Sequence, residues 1–126
     1  MHLSVAGIAV RNDHVLLARR KPGGVNSGRW EFPGGKSENE PPAACLEREF
    51  LEELGVSVSV GPLLARGAFT HRGEDYRLEA YRVRLGSEKL TLHEHAEVGW
   101  FRLEEAEKLE LVPSDRALLP QLRRAI

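Results

Sequence analysis

Four glutamates and one arginine share the nine residues of "EREFLEELG", Glu47 to Gly55. On a helix, Glu49, Glu52 and Glu53 stand at i, i+3 and i+4, so their carboxylates gather on one face, while Glu47 points elsewhere to the surface. Like charges so placed repel by a few tenths of a kcal/mol per pair. Two arrangements accommodate them. One is a solvated acidic face, the usual fate of a charge run. The other is a hard divalent cation, because Mg²⁺ takes oxygen ligands from carboxylates, water and substrate phosphates. Arg48 supplies a counter-charge that reaches Glu52 one turn on or a neighbouring loop. Phe50 and Leu54, four apart and away from the acids, suit anchorage to a core.

The elements that must position this face follow from local signals. A helix is expected over Pro42–Leu54. Pro41 stays outside it, since a residue before proline is pushed from the α region. Pro42 suits the first helical position, where its missing N–H costs nothing, and Gly55 is a natural stop. Upstream, "LSVAGIAV" and "HVLLARR" read as two strands of a hairpin turned by Asn12 and Asp13. The Gly/Pro-rich segments "KPGGVNSGRW" and "PGGKSENEPP" read as loops around a short extended "WEF". Downstream, "VSVSVGPLLARGAFTH", "YRLEAYRVRL" and "EVGWFRL" read as strands, and "EEAEKLEL" and "SDRALLPQLRRAI" as two short helices around "VPSD". The pattern predicts an α/β (α+β) architecture, a mixed sheet between helices, in one domain spanning residues 1–126.

Eighteen basic and nineteen acidic residues give a net charge of -1. No global field draws in polymeric nucleic acid or a membrane surface, so recognition must be local. The apolar run Val5 to Val10 is far too short to span a bilayer, and the first residues lack the basic start and cleavage pattern of a signal peptide. Cys45 is the single cysteine, so no internal disulfide forms. These features fit a reducing, cytoplasmic compartment, and Cys45 itself reads as a small packing residue.

The residues "GGKSENEPPAACLEREFLEELGV" resemble the Nudix box, the signature GX5EX7REUXEEXGU of the Nudix hydrolases, in which U is aliphatic. Counting from Gly34, Glu40, Arg48, Glu49, Glu52, Glu53, Gly55 and Val56 fall in register, with Phe50 aromatic where an aliphatic residue is usual. Family members commonly place the second glycine of the pair at the first position. Aligned on Gly35, this chain is one residue short between "GGK" and the helix. "LLARR", "GRWEFPGGK" and "AEVGWFRLEEA" extend the similarity to the MutT-like branch.

The resemblance implies an α/β/α Nudix sandwich with the box forming a loop-helix-loop. It implies hydrolysis of a nucleoside diphosphate linked to another group, requiring Mg²⁺ or sometimes Mn²⁺. For a MutT-like enzyme the expected reaction is a nucleoside triphosphate, often oxidised or non-standard, to the monophosphate and pyrophosphate. Glu49, Glu52 and Glu53 are then metal ligands ordered by Arg48, and the Gly35 carbonyl is a further metal contact. Some members instead give the first of these acids a base role, which makes Glu49 the helix candidate for polarising the attacking water. A loop glutamate near the metals is implied as well, either Glu94 or Glu97, with Glu94 preferred. His93 and His95 beside it read as loop residues, since imidazoles suit Mg²⁺ poorly.

For substrate contacts, only one of the strand neighbours Arg19 and Arg20 can face a cleft, and Arg20 is preferred. Phe32 is a candidate for packing on a base or into the core. Asp115 matches a base-reading position of MutT-like proteins, where an ionised carboxylate would accept from an exocyclic amino group. It serves equally as an N-cap of the last helix. Two other readings remain open. Dinucleoside polyphosphates, ADP-ribose or nucleotide sugars are alternative substrates, although His71 to Glu74 lacks the Pro or Tyr of those branches. The other is a non-catalytic nucleotide-binding module, which typically loses the box acids retained here. The partner expected is a small-molecule nucleotide, and the chain a monomer or homodimer.

Overall fold

The computed structural model describes residues 2–126. Seven strands, β1 (His2–Arg11), β2 (His14–Arg20), β3 (Trp30–Glu31), β4 (Gly34–Lys36), β5 (Val58–His71), β6 (Glu74–Leu85) and β7 (His95–Phe101), form one mixed sheet. The order β3-β2-β1-β6-β5 runs across it, with β4 also pairing with β1 and β7 with β2. The contact between β1 and β6 is parallel, whereas the other pairings are antiparallel. Helices α1 (Pro42–Leu54), α2 (Leu103–Ala106), α3 (Pro113–Arg116) and α4 (Leu119–Ala125) complete the order.

Strand alternation sends side chains to both faces and makes two cores. Val5, Ala9 and Leu16 pack with Cys45, Leu46, Phe50 and Leu54 of α1. Ala6, Ile8, Val15 and Leu17 pack with Leu103, Ala106, Leu118, Leu119 and Leu122 on the other side. This is the expected helix-sheet-helix sandwich. Asn12 and Asp13 both take positive φ, 50° and 64°, the requirement of a two-residue hairpin turn whose twist matches its strands. Pro41 is extended at the N-cap, Pro42 opens α1, and Gly55 closes it in the left-handed conformation at φ 62°.

Three expectations need correction. "PGGK" is not wholly loop, because Gly34–Lys36 forms β4 against β1. A side chain at Gly34 would collide with the Val5 carbonyl, so only glycine permits this backbone approach. "EEAEKLEL" supplies only the single turn of α2. The terminal helix divides into α3 and α4 around Ala117 and Leu118. Pro120 has no N–H to return to the Arg116 carbonyl, which breaks the ladder there. The long strand β5 also shifts register between Val60 and Leu63, across Gly61 and Pro62, where proline cannot donate to the sheet.

Phe50, the departure from the box pattern, has a structural counterpart in Gly7. A Cβ built on Gly7 would strike the Phe50 ring and stand 3.3 Å from Val83. The glycine on β1 thus leaves the volume that the larger ring fills. Gly7→Ala is expected to destabilise the fold by about 1–3 kcal/mol through overpacking. Combining it with Phe50→Leu should recover part of that loss. Denaturant midpoints of the two single variants and the double variant measure the coupling, and strict additivity would disprove it.

Candidate active site

A cleft of about 760 Å³ opens beside the N-terminal half of β1, bordered by β4, the buried face of α1 and the segment before β7. Glu49 and Glu53 enter it from α1, Gly35 from β4 and Glu94 from the loop preceding His95. Arg20, Phe32 and Asp115 border the same space. Arg48 and Glu52 do not line it. Glu52 lies on the exposed flank of α1, where Arg48 Nη1 donates to its Oε2 at 3.4 Å. Of the paired alternatives, Arg19 donates to Glu97 at 3.0 Å away from the cleft, whereas Arg20 and the loop residue Glu94 line it.

Arg48 is the hub of the box. Its guanidinium donates to Glu40 at 2.5 Å and to Glu49 at 3.0 Å besides the contact with Glu52. Hydrogen bonding to Arg48 holds the Glu40 carboxyl below its ordinary range and Arg48 itself correspondingly higher. The shorter entry loop therefore still delivers Glu40 to the arginine. It does so through a tight turn with Asn39 at φ 59° and Ser37 Oγ donating to the Glu40 carbonyl at 3.0 Å. Cys45 lies beneath this loop, where burial first and then the charges of Glu40 and Glu49 push its thiol up to about 11. That makes it a packing group and a poor nucleophile.

Glu53 is 4% exposed, and its Oε1 has no hydrogen-bond partner among the described residues. Burial raises its carboxyl well above the normal range, followed by the hydrogen bond and charge of Glu49 and the charges of Glu31 and Glu94. Glu49 in turn lies directly over Gly35, where a built Cβ would stand 2.6 Å from its carboxylate. An orphaned buried carboxylate oxygen, further carboxylates around it and a side-chain-free backbone opposite form a donor set that fits a hard divalent cation.

Two residues of this cleft were not singled out as site residues from the sequence. His95 is not a loop residue. It opens β7, is 5% exposed, and its Nε2 lies 2.8 Å from Glu31 Oε2 and 3.8 Å from Glu53 Oε1. Glu31, Glu53 and His95 each present a ligand-type atom within 4.8 Å of the others. The signal available was alternation in "WEF", which sends Glu31 and Phe32 to opposite sides of the chain. Phe32 borders the cleft, but it is buried in the core with Leu17 and Leu78, so packing is the role its position supports. Asp115 does not cap a helix. Its Oδ2 accepts the Phe32 N–H at 2.9 Å, and no side-chain cap is present on α3 or α4.

The Nudix domain profile matches residues 1–122. The chain belongs to the Nudix family. It is 38% identical over 116 residues to a CTP pyrophosphohydrolase of Escherichia coli (strain K12), covering 91% of this chain and 86% of that protein. A putative 8-oxo-dGTP diphosphatase 2 of Mycobacterium tuberculosis (strain H37Rv) is 35% identical over 130 residues, covering 97% and 88%. The solution structure of the E. coli ORF135 protein superposes with a TM-score of 0.86 at 35% identity, covering 98% of this chain and 89% of that one. The fold is thus the Nudix fold and the protein a Nudix hydrolase, a family that generally uses divalent metals. No described helix is long and apolar enough to cross a membrane.

Two variants of this Nudix hydrolase separate folding from function at neighbouring glycines. Gly34→Ala meets immovable backbone and should lower the melting temperature. Gly35→Ala meets only the movable end of Glu49, so the protein should keep its melting temperature while kcat/KM falls about tenfold or more. Equal melting-temperature losses would contradict the assignment. Asp115 yields a pH prediction. Burial, with a smaller push from Glu31, raises its carboxyl to about 7 from 3.8. The folded chain then binds more protons than the unfolded chain in that interval, so this group's contribution to stability falls as pH rises from about 4 to 7, by a few kcal/mol at most. Urea midpoints at pH 5 and 7.5 should diverge more for the native protein than for Asp115→Asn.

Proposed function

We propose that this Nudix hydrolase converts a nucleoside triphosphate to the monophosphate and pyrophosphate, with Mg²⁺ as metal and Mn²⁺ as a substitute. The observation that carries the reading is the single cleft holding both the acids of α1 and Asp115. Glu49, Glu53 and Glu94 would hold the metal, with the Gly35 carbonyl as a further donor, while Glu52 stays on the exposed flank with Arg48. A bound divalent ion would neutralise phosphate charge and lower the pKa of a water. In the alternative role, Glu49 would accept a proton from such a water instead of holding the ion. Arg48 keeps Glu49 oriented from outside the cleft, and Arg20 supplies a positive charge to the phosphates.

The nucleobase lies toward Asp115. With its carboxyl near neutrality, Asp115 accepts from an exocyclic amino group when ionised and donates when protonated. Cytosine and guanine nucleotides, normal or damaged, are the substrates this chemistry favours. The names of the relatives, a CTP pyrophosphohydrolase and a putative 8-oxo-dGTP diphosphatase, agree with that class.

The test is a turnover panel of normal and oxidised nucleoside triphosphates, dinucleoside polyphosphates and ADP-ribose, with Mg²⁺ and with Mn²⁺. Pyrophosphate and monophosphate released from a triphosphate support the reading. Preference for ADP-ribose or a dinucleoside polyphosphate rejects the substrate class, and no turnover at all favours a binding module. Glu53→Gln should lower kcat on the best substrate by on the order of 10²-fold or more, several kcal/mol of lost charge stabilisation. Unchanged turnover would reject the metal assignment.

A further inference from the structure

Glu31 stands between two neighbours. Its Oε1 accepts from Arg20 Nη1 at 3.0 Å, and its Oε2 faces His95 Nε2 at 2.8 Å. A carboxylate only accepts, so the imidazole carries its proton on Nε2. The three residues are brought together by the backbone. In the β2–β7 ladder Arg20 and His95 are partners, with the register shift falling between Arg19 and Arg20. In the β2–β3 ladder Glu31 faces Ala18, two residues from Arg20. His95 also adjoins Glu94 in the chain and approaches the unpartnered Oε1 of Glu53 at 3.8 Å.

The arrangement is a poor solution for stability alone. His95 is 5% exposed, and its other nitrogen, Nδ1, has no partner among the described residues. A buried polar atom left unpaired is destabilising, and an apolar side chain at this position would avoid that cost. The compensation lies in what the imidazole fixes. It holds one oxygen of Glu31, leaves the other to aim Arg20, and anchors the point from which Glu94 leaves the sheet.

We infer that Glu31 and His95 are a positioning pair that sets both functions of the cleft at once, Arg20 for the phosphates and the Glu53–Glu94 group for the metal. The inference rests on the reading of those acids as metal-holding. Outer hydrogen-bond partners of this kind commonly change metal affinity or activity by 10- to 100-fold when removed.

The experiment measures Mn²⁺ binding to the nucleotide-free protein, by the spin-resonance signal of free Mn²⁺, together with KM for the best triphosphate. His95→Leu should weaken Mn²⁺ binding about tenfold and raise KM. His95→Gln, whose amide nitrogen reaches the place of Nε2, should restore both. If His95→Leu does not fold, His95→Asn, whose amide stops short of Glu31, replaces it. Native values for both constants in a folded His95→Leu protein overturn the inference. So does a His95→Gln protein as impaired as His95→Leu, because the imidazole would then be needed as a ligand itself. A native protein that binds no Mn²⁺ removes the metal reading and this inference with it. A native protein that binds normally beside unaffected variants removes only the positioning pair.

Discussion

Glu53 is buried with one carboxylate oxygen unpartnered among the described residues and with Glu49, Glu31 and Glu94 all close enough to act on it. Withdrawing a carboxylate from water is costly, and crowding it with further carboxylates raises the cost. The rest of the site is arranged around that constraint. Arg48 draws charge outward toward Glu40 and Glu52, holding Glu49 in place without entering the cleft. Gly35 withholds a side chain so that Glu49 can lie across β4. His95 approaches from the opposite strand. These donors suit a compact divalent cation.

The same constraint explains why α1 is gripped so firmly. A helix that must offer acids on one face needs an apolar face that does not slide. Cys45, Leu46, Phe50 and Leu54 are all fully buried. Phe50 reaches across to Gly7 of the central strand β1, which also pairs with β4. Loop, strand and helix of the box are therefore referenced to one strand.

Much of this was legible in the sequence because the signals were local. Pro41, Pro42 and Gly55 bound the helix, and the spacing of Glu49 and Glu53 marked the face turned to the cleft, although Glu52, expected on that face, lies on the exposed flank. Asn12 and Asp13 placed the hairpin. What was not legible depended on contacts between distant segments. His95 looked like a loop residue beside Glu94, and only the pairing of β7 with β2 puts it against Glu31, 64 residues earlier. Asp115 read equally well as a helix cap. The carboxylate instead crosses 83 positions to the Phe32 N–H, a bond that no local pattern announces. The last helix is shorter than its sequence pattern suggests because Pro120 has no N–H to give to the Arg116 carbonyl.

The side chain of Gln121 on α4 accepts the N–H of Arg66 through Oε1 and donates to the Arg66 carbonyl through Nε2. It thereby imitates a neighbouring strand along the outer border of β5, the last strand of the sheet order. Exposed borders of this kind recruit other chains by strand addition. Here the C-terminal helix occupies both backbone groups at that position, so another chain's strand would have to displace it before pairing there. The last helix thus shields the sheet border at Arg66 as well as filling the core.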